Sequence, residues 1–263
     1  MKLTVLGKSP AWTDAGGACS GYLVEAGGAP DGRARDGRVF LLDCGNGVFG
    51  KLRVRRDYRD IEAVVISHLH ADHLLDLIPF AYALTVGPDA GTRRPRLLAP
   101  SGAGSFFRRL VGTWDSEDLI ERAFAIEEYE PGADLEAAGI AIRPHAVPHI
   151  GPTHAVELTG PGGGRIVFGA DGRYSDRLTA LAGGADVLIA EATLVEPDPA
   201  PLEERGHMSA REAGELAASA GVRRLVLTHI SDELDPTHAL AEARAGFAGP
   251  VEIAAEGAAY STS

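Results

Sequence analysis

Three histidines and an aspartate fall within six positions in SHLHADHLLDL, residues 67 to 77: His68, His70, Asp72 and His73. Neutral imidazole nitrogens and carboxylate oxygens are donors to divalent zinc, and a catalytic zinc site keeps one position open for water. The HxHxDH cluster follows the apolar run AVVI, so it belongs at the turn between a strand and a helix. At such a turn the backbone changes direction within a few residues. His68 and His70 can then point to one side while Asp72 and His73 swing toward a second point, an arrangement suited to two adjacent metals. Solvated turn histidines would account for any one of these residues, but poorly for all four.

A ligand set drawn from one segment needs partners elsewhere. IAIRPHAVP leads into His149, RIVFGA into Asp171 and RRLVLT into His229, each a short apolar run ending at a single donor. Donors at the ends of several strands converge along one sheet edge, a rigid support for a site. Glu191, at the end of ADVLIAE, is a further strand-end carboxylate and a candidate for contact with the site. His145 alternates with Val147 along a strand, His154 begins the next, and His238 lies in a helix without a second donor at i+4. These three read as structural or exposed, although His145 and His154 flank His149 closely enough to support it or to touch substrate. Cys44 reads as a packed side chain, since no base stands near it in sequence.

The HxHxDH cluster, a lone histidine, an aspartate after a glycine and a final histidine after a strand together resemble the metallo-β-lactamase fold over most of the chain. The resemblance implies an α+β architecture, a four-layer αββα sandwich of zinc-dependent hydrolases. It further implies that His68, His70 and His149 hold one zinc, that Asp72, His73 and His229 hold the other, and that Asp171 bridges them. LLDCGNG, residues 41 to 47, is similar to the family's early strand-end motif, in which Asp43 supports a ligand without being one. The aspartate motif departs from the common GDT form and reads GADG.

HMSAREAGELAASAGVRRLVLTHIS, residues 207 to 231, resembles the ribonuclease Z and related phosphodiesterase branch, where a His-x-Ser/Thr segment opens the helix before the last metal histidine. That places His207 at the metal centre, against a phosphate oxygen or a leaving group. Taken alone, it would be a helix-entry residue without a catalytic role. Common ribonuclease Z enzymes carry a long tRNA-clamping arm between the metal histidine and the bridging aspartate. Here two expected strands already fill the interval from His149 to Asp171, and no arm fits. The expected activity is therefore hydrolysis of a small or cyclic phosphodiester at two divalent ions, zinc or else manganese or iron. In this scheme Asp72 orients or deprotonates the water, and a protonated His207 stabilises the departing oxygen. A thioester or lactone hydrolase of the same fold is the alternative, and a metal-binding or sensor protein without turnover is a third reading.

The elements that must position these residues read as one domain over 1–263. KLTVLG, SGYLVEA and RVFLLDC are expected as antiparallel strands, the last two joined by a hairpin at ARDG. NGVFGKLRVR is an expected helix, IEAVVIS a buried strand, and HLLDLIPFAYAL a single helix. RPRLLAP is a strand, and SGAGSFFRRLVGTW a helix with Ser101 as its N-cap. AFAIEEY, IAIRPHAVP, HAVELTG and RIVFGAD follow as strands, SDRLTALAG as a helix and ADVLIAEA as a buried strand. SAREAGELAASAG opens with a Ser-x-x-Glu capping box, Ser209 to Glu212, and closes at Gly221. RRLVLTH is a strand, PTHALAEARAGF a helix and PVEIAAE the last strand, while PGADLEAAG and VEPDPAPLEERG read as loops.

A net charge of −12 over 263 residues disfavours tRNA and other polyanions as partners. The basic runs RVRRDYR (53–59) and TRRPR (92–96) read as solvated surface. Two cysteines outside any CxxC pair fit a reduced cytoplasm, and no segment has the apolar length of a signal core or membrane span. Dimers are common in the branch that the chain resembles, which makes a homodimer one option without fixing the oligomeric state.

Overall fold

Strands Lys2–Gly7 (β1), Gly21–Glu25 (β2) and Val39–Leu42 (β3) are buried along nearly their whole length. A strand apolar on both faces needs a layer on each side. The computed structural model, which describes residues 1–26 and 39–262, supplies those layers. The expected ARDG connection lies outside the described residues.

The first sheet runs antiparallel from β1 through β3, then parallel through Ile61–Val65 (β4), Arg96–Pro100 (β5) and Ala125–Tyr129 (β6). The second sheet has the same plan. Leu135–Ala137 (β7), Ile140–Val147 (β8), Thr153–Thr159 (β9) and Arg165–Phe168 (β10) are antiparallel. Val187–Glu191 (β11), Leu225–Thr228 (β12) and Val251–Ile253 (β13) continue it in parallel. A final strand, Ala259–Ser261 (β14), returns to the first sheet and pairs with β1.

Tyr22, Phe40 and Phe168 lie in the core between the two sheets, with the Tyr22 and Phe168 rings 5.1 Å apart. The outer face of the first sheet packs on Val48–Arg55 (α1), Ala71–Leu74 (α2), Leu77–Val86 (α3), Ala103–Gly112 (α4) and Leu119–Ala123 (α5). That of the second packs on Asp176–Ala182 (α6), Ala210–Ala220 (α7) and Pro236–Gly246 (α8). Three apolar cores thus separate four layers, the αββα order that the resemblance implies. Among the described residues no helix is long and apolar enough to cross a membrane.

Several local expectations change. HLLDLIPFAYAL is two helices rather than one, broken between α2 and α3. Pro79 explains the break: a helix running through from Ala71 would put it in the interior, whereas a restart at Leu77 places it in a first turn, where no amide donor is required. Ser101 is not the N-cap of α4. Gly102 holds that position, and Glu128 of β6 accepts from the amides of Gly102 and Gly104, both at 2.9 Å, while the Ser101 hydroxyl donates to Glu130.

PGADLEAAG contains β7, joined to β8 by a two-residue turn in which Ala138 and Gly139 both have positive φ. α5 and β14 are also unanticipated; at five and three residues they are too short to show a period. The capping box of α7 is formed as expected, with Gly221 left-handed at its end.

Candidate metal centre

Strands of both sheets stop at one seam, and the chain leaves them abruptly. Asp43 after β3, Ala170 after β10 and His229 after β12 have φ values of 58°, 54° and 60°. Left-handed backbone costs an L-residue about 1–2 kcal/mol, and such strain persists only where surrounding contacts hold it. At His229 the amide donates to the Lys8 carbonyl at 2.9 Å, and Lys8 Nζ donates to the Ile230 carbonyl at 2.8 Å. The Tyr22 and Thr228 hydroxyls share a buried 2.9 Å hydrogen bond that ties the two sheets together just below.

The expected donors meet at this seam in two groups. His68, His70 and His149 form one; Asp72, His73, Asp171 and His229 form the other, with the donor atoms of each group within 4.8 Å of one another. His229 Nε2 lies 3.2 Å from Asp72 and 3.3 Å from Asp171, and His73 Nε2 lies 3.4 Å and 3.3 Å from the same carboxylates. Asp171 also faces the first group, 4.0 Å from His68 Nε2. The Nε2 atoms of His68 and His73 are buried without a hydrogen-bond partner, a costly condition for a polar atom unless a ligand meets it.

Charge within the cluster points the same way. Burial, reinforced by His73, holds His68 neutral, well below the ordinary histidine range. Burial is the largest influence on His73 and His229 and opposes their charge, but Asp171 acting together with Asp43 on His73, and with Asp72 and Glu191 on His229, outweighs it and raises both. Burial would raise Asp171 and Asp72; instead His229 and His73 hold both carboxyls far down. Buried carboxylates balanced by imidazoles attract positive charge, and a divalent cation among these nitrogens would replace protons. The donor set fits such an ion.

Hydrogen bonds behind the donors fix which nitrogen faces inward. His73 Nδ1 donates to Asp43 at 2.6 Å, and Asp43 also accepts from the Ser67 amide and hydroxyl and the Ser20 hydroxyl. His149 Nδ1 donates to the Gly206 carbonyl at 2.6 Å. His229 Nδ1 donates to Thr193 Oγ1 at 2.7 Å, and the Thr193 hydroxyl donates in turn to Glu191 at 2.5 Å. These partners leave Nε2 of each histidine for the centre.

Glu191 is fully enclosed and also accepts from the Gly172 amide at 2.7 Å and from His207 Nδ1 at 2.8 Å. The His207 ring stands 5.0 Å from that of His149 and 5.7 Å from that of His229. Burial works against its charge, and Glu191 overcomes this, raising its pKa. In GADG, a Cβ on Gly172 would stand 2.9 Å from the Pro148 carbonyl oxygen, so the close approach needs glycine there.

Thr193 and Gly206 escaped sequence reading. Thr193 carries a faint signal, two positions past a strand-end carboxylate; Gly206 acts through a backbone carbonyl and carries none. The remaining histidines stand outside both groups: His145 is 3.5 Å from Glu157, His154 Nδ1 donates to the Ser67 carbonyl, and His238 is 3.6 Å from Glu196. Burial pushes the Cys44 thiol well above its ordinary value, which makes it inert.

Two mixed sheets back to back, with histidines and aspartates gathered where their strands end, define a metallo-hydrolase of the metallo-β-lactamase fold. The chain belongs to the beta-lactamase superfamily, whose domain model matches residues 38–230. It is similar to protein ML1173 of Mycobacterium leprae, with 32% identity over 99% of this chain and 88% of that protein. It is 29% identical to the probable metallo-hydrolase YhfI of Bacillus subtilis over 98% of each chain. The crystal structure of YhfI superposes with a TM-score of 0.83, at 27% identity and 98% coverage of both. Ribonuclease Z of Myxococcus xanthus is 26% identical over 98% of this chain and 96% of that enzyme.

Proposed function

We propose that the protein is a phosphodiesterase that hydrolyses a small or cyclic phosphodiester at two divalent metal ions. The observation that carries this reading is His207, held by the enclosed Glu191 carboxylate at 2.8 Å and set between His149 and His229. A cationic imidazole there suits a departing oxyanion. The ribonuclease Z relative supports phosphorus over carbon as the reacting centre.

In this reading His68, His70 and His149 hold one ion, Asp72, His73 and His229 the other, and Asp171 faces both. Zinc suits these nitrogen and oxygen donors, and manganese or iron is the alternative. When bound, such ions acidify water and offset charge on a phosphoryl group. Asp72 orients or deprotonates the attacking water; His207 gives a proton to the leaving oxygen; Glu191 keeps His207 charged and oriented. Asp43 and Thr193 hold His73 and His229 in the required tautomers.

A small substrate is favoured over tRNA by the net charge of −12 and by β9 and β10, which fill the interval from His149 to Asp171. We place the protein in the cytoplasm, a reading supported by two free, buried cysteines, Cys19 and Cys44.

Parallel assays of the zinc-loaded protein with bis(p-nitrophenyl) phosphate and a glutathione thioester test the reaction class. Turnover of the diester alone is expected, and of the thioester alone would move the reading to an acyl hydrolase. Asp72→Ala should lower both bound metal and turnover, the latter by roughly 100-fold. A fully metallated, fully active variant would overturn the role given to Asp72.

A further inference from the structure

Beside His68 and His70 the surface folds into an open-sided slot of about 100 Å³, walled by Leu69, Pro100, Ile150 and Pro152. The wall is apolar, although it adjoins the histidine and aspartate cluster. Ser101 also borders it, but its hydroxyl is already donated to Glu130. Substrate pockets typically pair apolar walls with a few polar groups at the reacting end, and here His68 and His70 form that end.

Ile150 is the unusual wall. It is 66% exposed, yet it sits on a short connection anchored at both ends. On one side His149 donates to Gly206; on the other Thr153 forms a β-bridge with His68, and the His154 amide donates to the Ser67 carbonyl at 3.2 Å. The Ile150 side chain also leans on Gly206, where a Cβ would meet its Cδ1 at 3.0 Å. A large apolar group is therefore held in water at the mouth of the centre, on a support too well tied to fold it away.

We propose that this slot seats one six-membered ring of the substrate, an aryl group or a pyrimidine-sized base attached to the phosphoryl group, against the apolar side chains of Leu69, Pro100, Ile150 and Pro152. The proposal rests on the phosphodiesterase reading and names the substrate feature that the centre selects. A closed apolar cavity of about 150 Å³ takes one benzene. An open slot of about 100 Å³ therefore matches a single ring in size, and a second fused ring exceeds it.

Calorimetric binding of phenylphosphonate, methylphosphonate and 1-naphthylphosphonate to the zinc-loaded protein tests this without turnover. Phenylphosphonate should bind roughly tenfold more tightly than methylphosphonate, the scale of one added apolar contact surface in a pocket. The naphthyl compound should gain nothing over phenyl. Ile150→Ala, at an exposed position, should cut the phenyl-to-methyl ratio severalfold, and Ile150→Asp should abolish it. Equal binding of phenyl and methyl compounds, or a phenyl preference that survives both substitutions, would overturn the slot and leave the phosphodiesterase reading intact. If none of the three binds, the phosphodiesterase reading fails and takes the slot with it.

Discussion

Asp43 shows how much a single side chain contributes here without touching the centre. Its two oxygens accept from Ser20, from Ser67 twice and from His73, and its own backbone is left-handed. Asp43→Asn keeps the shape but removes the charge and places an amide against at least one of those donors. Metal affinity should fall about 10- to 100-fold, the usual cost of losing a partner behind a ligating histidine. Competition against a fluorescent chelator would measure it; unchanged affinity would show that His73 needs no such support. Donors such as His149, Asp171 and His229 were legible because each is a lone polar residue closing an apolar run. Gly206 was not, since a carbonyl oxygen belongs to every residue and its use depends on where the fold carries it.

Among the elements, α4 obtains its N-terminal cap from a neighbouring strand. Glu128 reaches from β6 to two free amides, which hold its carboxyl below the ordinary glutamate value of 4.5. Because the folded pKa is the lower one, the stabilisation is complete above the unfolded value and fades as pH falls through the folded one. Glu128→Ala should therefore cost about 0.5–1 kcal/mol at pH 7, the lower part of the capping range for an exposed, screened group. The difference from the parent should shrink below about pH 4.5 and vanish at lower pH. Urea denaturation at pH 7 and pH 3 would check it; a pH-independent difference would assign the effect to packing. Sequence pattern favoured Ser101 because local capping is readable in a string, whereas a cap delivered across a parallel strand pair is not. The same reason hid β7 and β14, three-residue strands defined by their partners, while the longer α7 announced its own start and stop.

At the scale of the molecule, the centre straddles the two sheets. His68, His70, Asp72 and His73 follow β4 of the first, and His149, Asp171 and His229 follow strands of the second. An ion shared between them acts as a cross-link in the folded state alone, so chelation should lower the melting temperature by roughly 10 °C, with recovery on adding zinc. Differential scanning calorimetry before and after chelator treatment would show this; an unchanged transition would mean that the seam is held by its apolar core and the Tyr22–Thr228 contact without help from metal. The order of these residues along the chain has a consequence for biosynthesis. A ribosome releases the HxHxDH segment long before β12 is made, so a nascent chain carries half a chelate with nothing to close it. The full donor set forms only when the second sheet has folded against the first, which makes metal loading a late event and gives the cell one check on two halves at once.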